Sequence, residues 1–154
     1  MTINEGDTAP NITVTASDGS TVNLAASGRA LVLYFYPKDD TSGCTREAQD
    51  FTALAADYAK AGVKVIGVSR DPMKSHEKFI GKYSLAVPLV SDQDGRISEA
   101  FGTWVKKSMY GRKYMGMERA TFLIGADGRV LKAWRKVKVP KHAEEVLKAA
   151  KDAA

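Results

Sequence analysis

The sequence predicts an α/β fold with a mixed central sheet flanked by helices, and three observations carry that prediction. Residues 31–36 are an unbroken run of Leu, Val, Tyr and Phe closed by Pro37, the pattern of a strand buried on both faces. Residues 63–69, VKVIGVS, form a second such run after a stretch with helical spacing. Strand, helix, strand implies a right-handed crossover and a parallel pair. Asp127-Gly128, between residues 120–125 and 129–137, signals a hairpin, so antiparallel pairing accompanies the parallel pair.

The elements follow in order. Residues 3–10 read as an extended lead-in ending at Pro10. Residues 12–16 and 21–24, rich in Thr and Val, flank Asp18-Gly19 and predict an N-terminal β-hairpin. Residues 25–29 connect it to the central strand. Pro37 ends that strand, since it has no N–H to give a ladder. A polar loop, 38–43, comes next. Ala48, Phe51, Leu54, Ala55 and Tyr58 then recur at three- and four-residue steps. That spacing predicts a helix to about Lys60, with Thr41 or Ser42 as N-cap, Glu47 in its first turn and Gly62 just past its end.

Residues 75–83 predict a helix with Phe79 and Ile80 inward, 87–90 a short strand, and 96–101 one or two helical turns. Residues 102–117 mix aromatics, Met and Lys with three glycines, and read as a hairpin or excursion along the rim where the strands end. There Trp104, Met109, Tyr110 and Met115 either shield the site or simply pack. The closing helix is expected over 140–151, with Pro140 in its first turn. No repeat, low-complexity tract or linker interrupts residues 1–154, which read as one domain.

Composition narrows the function. No run approaches the ~20 apolar residues a membrane span needs. The opening MTINEGDTAP has neither a basic start nor an apolar segment, so a cytoplasmic location is expected. The net charge of +5 is spread among acids with no nucleic-acid motif, so no nucleic-acid partner is expected. His76, on a helix that reads as exposed, and His142, opening the last helix, are far apart in sequence, and no metal site is expected. Asp39-Asp40 reads as loop.

The single cysteine, Cys44, excludes an internal disulfide and suits a reducing compartment. It falls in the first turn of a helix that follows a central strand. Backbone N–H groups without intrahelical partners gather there and favour an anion, and a thiolate is such an anion. A lone cysteine more often packs as a small hydrophobe. The polar neighbours Asp39, Asp40, Thr41 and Gly43 favour an activated, outward-facing nucleophile instead.

The spacing Pro37-x-x-x-Thr41-x-x-Cys44 resembles the peroxidatic motif of peroxiredoxins, and YFYPKDDTSGCTREA resembles the bacterioferritin-comigratory, or peroxiredoxin Q, branch. The likeness continues through EGDTAPNITVTASDG, VIGVSRD, VPLVSD and ERATFLI. It implies a thioredoxin-like fold, no cofactor, and reduction of hydrogen peroxide or organic hydroperoxides by a thiolate. In such a site Thr41 supplies a hydroxyl, Gly43 and Cys44 supply N–H groups, and Pro37 shapes the loop and excludes water. Of the arginines that compete for the cationic role, Arg46, Arg70 and Arg119, the resemblance selects Arg119, with Glu47 as the acid that orients it.

Two departures bear on mechanism. The branch often carries a second, resolving cysteine, either five residues downstream or about one helix later. Here those places hold Gln49 and Ile80. Neither forms a disulfide, which implies a one-cysteine cycle. Cys44 becomes a sulfenic acid, open to further oxidation, and an external thiol reduces it, either glutathione with glutaredoxin or thioredoxin. Ser42 stands where the branch usually has proline. The chain has no long C-terminal extension of the kind seen in dimeric peroxiredoxins, so a monomer is expected. The alternatives are a thiol–disulfide oxidoreductase, for which the C-x-x-C pair is missing, and a non-catalytic binding or chaperone module.

Overall fold

The computed structural model describes residues 3–153. The hairpin β1 (Thr13–Thr15) and β2 (Thr21–Asn23) pairs Val14 with Val22, and β3 (Leu31–Phe35) follows. Next come α1 (Ser42–Ala53), α2 (Ala55–Lys60), β4 (Lys64–Ser69), α3 (Met73–Tyr83), β5 (Leu89–Ser91) and α4 (Arg96–Phe101). A second hairpin, β6 (Trp104–Met109) and β7 (Arg112–Met117), precedes β8 (Ala120–Ile124), β9 (Val130–Trp134) and α5 (His142–Ala153). The main sheet has the order β5-β4-β3-β8-β9. β3, β4 and β5 are parallel, while β8 runs antiparallel to β3 and β9 to β8. The lead-in joins this sheet's edge, where Thr8 bridges Arg129 and Ala9 N–H donates to the Gly128 carbonyl.

β3 is buried on both faces because the sheet has a core on each side. Leu31, Leu33 and Phe35 pack with Val14, Ile97, Phe101 and Phe122. Val32, Tyr34 and Tyr36 pack with Ala48, Phe51, Phe79, Val146 and Leu147, drawn from α1, α3 and α5. A strand with two covered faces needs no polar alternation, hence the unbroken apolar run. Among the described residues no helix is long and apolar enough to cross a membrane.

Four expectations change. The helix after Cys44 is broken at Leu54, whose N–H bonds the Phe51 carbonyl three residues back and tightens that turn. Glu47 lies beyond the first turn of α1, which contains no acid. The last helix starts at His142 rather than Pro140, because Lys141 has φ +65°. His76 is fully buried on α3, its partners supplied by other elements.

Gly67 shows how tightly β4 packs over the Cys44 side of the sheet. A Cβ there would sit 2.7 Å from Tyr34 Cζ and 2.8 Å from its hydroxyl oxygen. Tyr34 cannot retreat, because its ring stacks on Phe51 with centroids 4.6 Å apart. Gly67→Ala is expected to destabilise the fold by about 1–3 kcal/mol through overpacking, read from the urea-unfolding midpoint.

Candidate active site

The register of the sheet gathers the site. Phe35 lies opposite Val68 on β4 and opposite Ala120 on β8. Because β8 is antiparallel to β3, the residue before β8 reaches the rim at which β3 ends. That residue is Arg119. The loop leaving β3 turns back at the same rim into α1, whose N-cap is Thr41 in extended conformation. Cys44 is the third residue of α1. The first bond of the helix runs from Thr45 N–H to the Thr41 carbonyl, so the N–H groups of Ser42, Gly43 and Cys44 lie ahead of it.

Arg119 joins two side chains of α1, Cys44 and Glu47. Its Nη2 donates to Cys44 Sγ at 3.3 Å and its Nη1 to Glu47 Oε1 at 2.6 Å. The guanidinium is planar and stays charged, so one side chain serves both partners at fixed angles. Gly43 makes room for it: a Cβ there would stand 3.2 Å from Nη2. Glu47 is 1% exposed, and burial pushes its carboxyl up to about 7 although the Arg119 guanidinium pulls the other way. Its second oxygen, Oε2, is buried without a hydrogen-bond partner among the described residues.

The loop is strapped to neighbouring elements by its two acids. Asp39 accepts from Tyr36 Oη at 2.6 Å and Ser75 Oγ at 2.8 Å, and faces His76 Nδ1 at 2.7 Å. Its backbone N–H donates to Asp71 Oδ2 at 2.8 Å. Asp40, at φ +58°, accepts from Lys82 Nζ and Tyr83 Oη on α3. Asp39, Asp71 and His76 bring ligand-type atoms within 4.8 Å of one another, and the hydrogen bonds just given already engage them. Thr41 Oγ1 donates to the Lys38 carbonyl at 2.9 Å, closing the loop on itself, and Pro37 is exposed.

Cys44 is 1% exposed and packs with the apolar cluster of Val32, Tyr34 and Phe51, so the sulfur is not turned outward. The reason is that residue three of α1 falls on the same helix face as Glu47, Ala48 and Phe51. Arg46 is solvated and paired with Asp50, and Arg70 lies over the Trp104 ring at 3.5 Å. Residues 104–117 do form a hairpin. Met109, Tyr110 and Met115 are exposed and shield nothing, whereas Trp104 packs against the core.

Sequence reasoning missed Lys107, Tyr34 and the Asp39–His76 pair. Burial, with the nearby Arg119 guanidinium, lowers the Lys107 pKa, while Cys44 and Glu118 act in the opposite sense. The Tyr34 hydroxyl is buried without a partner among the described residues. Nothing in the local sequence distinguishes these side chains from packing residues. Asp39 alone had a signal, as an acid inside the Pro37-to-Cys44 loop. His142 is buried too: burial pushes its pKa down to about 4, and Nε2 of the neutral ring shares a hydrogen bond with the Thr121 hydroxyl at 2.8 Å.

Known proteins resemble this chain along most of its length. The AhpC/TSA family pattern matches residues 5–133. Peroxiredoxin Bcp of Xanthomonas campestris is 49% identical over 142 residues, spanning 92% of this chain and 89% of its own. Peroxiredoxin Bcp of Bacillus subtilis is 45% identical over 153 residues, covering 99% and 98%. The crystal structure of a cysteine-to-serine mutant of PrxQ from Xylella fastidiosa superposes with a TM-score of 0.91 at 42% identity, covering 99% of this chain and 98% of that one. Identity of this order along nearly the whole length, on one thioredoxin-like fold, places the chain in the AhpC/TSA family, in its Bcp or peroxiredoxin Q branch, as a thiol-dependent peroxidase.

Proposed function

We propose that the chain acts as a single-domain, one-cysteine peroxidase whose nucleophile is Cys44, reducing hydrogen peroxide and organic hydroperoxides with an external thiol as electron donor. The observation that carries this reading is the Arg119 guanidinium held between Cys44 Sγ and Glu47. It gives an anionic sulfur a charged partner inside an otherwise apolar pocket, where such a contact counts for more than in water.

The thiolate sulfur attacks the terminal peroxide oxygen. The S–O bond forms, the O–O bond breaks, and the departing water or alcohol oxygen takes a proton. Arg119 and the N–H groups at the start of α1 offset the charge that moves onto that oxygen. Glu47 fixes the guanidinium plane. Thr41 and Pro37 shape the turn that brings Cys44 to the rim. Since Cys44 is the only cysteine, the sulfenic acid is reduced by a thiol from outside, which attacks sulfur and expels water; a second thiol then releases Cys44. Glutathione with glutaredoxin, or thioredoxin, fits this step. The protein is read as a cytoplasmic monomer, in keeping with a lone thiol.

The test is a peroxidase assay run in parallel with the glutathione–glutaredoxin and thioredoxin–thioredoxin reductase systems. Wild type should consume peroxide with at least one of them, and Cys44→Ser with neither. Turnover retained by Cys44→Ser would reject the assignment.

Arg119→Lys keeps the charge but loses the fork that spans sulfur and carboxylate. The second-order rate with peroxide is expected to fall on the order of 10²-fold, the scale of losing a transition-state donor, as stopped-flow fluorescence would show.

Glu47 predicts a pH dependence of stability. Its folded pKa, about 7, lies above the unfolded value of 4.5. Its contribution is therefore fully present below pH 4.5 and is lost as pH rises through about 7. Urea unfolding of wild type and Glu47→Gln across that window should show wild type losing ground to the variant as pH rises. A constant difference would contradict the raised carboxyl.

A further inference from the structure

The anchor of the Cys44 loop contains a proton that its geometry demands. His76 is fully buried, with Nε2 2.9 Å from the Val90 carbonyl and Nδ1 2.7 Å from Asp39 Oδ2. A carbonyl only accepts, so Nε2 carries hydrogen. A bond between Nδ1 and a carboxyl oxygen then needs a second proton, on the ring or on Asp39. In either placement the pair is neutral as a whole.

This neutrality matters because of where Asp39 stands. It lies five residues before Cys44, in the loop that sets the start of α1, and is 7% exposed. Its carboxyl group is the hub for Tyr36, Ser75 and His76, while Asp71, held by the Ser69 hydroxyl, binds its backbone N–H. Tyr36 ties the hub to the surroundings of the sulfur: its hydroxyl donates to Asp39, and its ring lies in the same buried cluster as Cys44, Tyr34 and Phe51. An uncompensated carboxylate at this hub would put a buried negative charge in the loop that leads into the helix of an anionic sulfur.

We propose that His76 is a positioning residue for Cys44, acting through Asp39: the proton held between them lets a carboxyl group anchor the loop without adding net negative charge to the segment that leads into the sulfur's helix. The proposal rests on Cys44 reacting as a thiolate. The other titratable groups around the sulfur and the hub are Arg119 and Glu47, Tyr34 in the same buried cluster, Asp71 on the Asp39 N–H, and Lys107, whose charge interacts with Cys44; His76→Gln leaves all of them in place.

The experiment measures the rate of Cys44 alkylation by iodoacetamide against pH for wild type, His76→Gln, and His76→Gln combined with Asp39→Asn. Gln keeps a donor but brings no ionisable proton, so the single variant should alkylate about three- to tenfold more slowly at pH 7, its profile displaced upward. The double variant removes the stranded charge and should return the profile toward wild type, which mere loss of packing would not do. An unmoved profile in His76→Gln, or a displacement that persists in the double variant, overturns the proposal. Should either variant fail to fold, ¹⁵N spectra of the wild type decide. Both ring nitrogens of His76 protonated, or one protonated beside a neutral Asp39, supports the shared proton; a single ring N–H beside an ionised Asp39 refutes it. Alkylation needs no peroxide, so failure of the peroxidase reading and failure of this one are separately visible.

Discussion

The contact on which the site depends is the fork of Arg119 between the Cys44 sulfur and the Glu47 carboxyl. Its partners sit on a helix, and the arginine arrives from the start of the strand next to β3, 75 residues after the cysteine. What makes the meeting possible is the antiparallel pairing of β8 with β3, which sets Ala120 against Phe35 and so delivers the preceding residue to the rim where α1 begins. A strand paired the other way round would send Arg119 to the opposite edge. The two aromatic-rich cores that cover β3 are therefore part of what builds this contact, because they hold the register in which these groups meet.

Charge is placed sparingly in this pocket. Cys44 and Glu47 are each 1% exposed, and one oxygen of Glu47 has no partner among the described residues. Groups so deprived of water interact strongly, and each uncompensated one is costly. The structure answers with a single shared guanidinium on one side of the loop and with neutral hydroxyls and an imidazole on the other. Asp39 and Asp40 both fasten the loop on that second side. The buried one is tied to Tyr36, Ser75 and His76, the exposed one to Lys82 and Tyr83. Both straps run to α3, so the geometry at the start of α1 is set partly by a helix that contributes nothing to the contact with sulfur.

Much of the fold was legible because its signals are local. Two buried strands, the Asp-Gly hairpins and the helix starting near Cys44 follow from apolar period, glycine and proline placement. The failures share one cause. His76 reads as a surface residue since its carboxyl and carbonyl partners are distant in sequence. Met109, Tyr110 and Met115 read as candidates to shield the sulfur because an apolar side chain carries no mark of whether a partner element lies over it. Glu47 reads as a dipole-facing acid of the first turn, whereas its environment is governed by burial and by a cation at the start of β8.

The chain by itself determined that one cysteine would sit near a helix start after a buried strand, since turn chemistry and periodicity are written into neighbouring residues. It also determined that Cys44 has no second thiol among residues 1–154 to pair with, a matter of counting. Only the folded arrangement decided that the sulfur would be covered rather than open, how the Arg119 that the resemblance had singled out reaches it, and that a buried histidine would hold the loop. Each of these is a contact between segments far apart in sequence, fixed by strand register and by which faces pack. Local pattern carries no information about either.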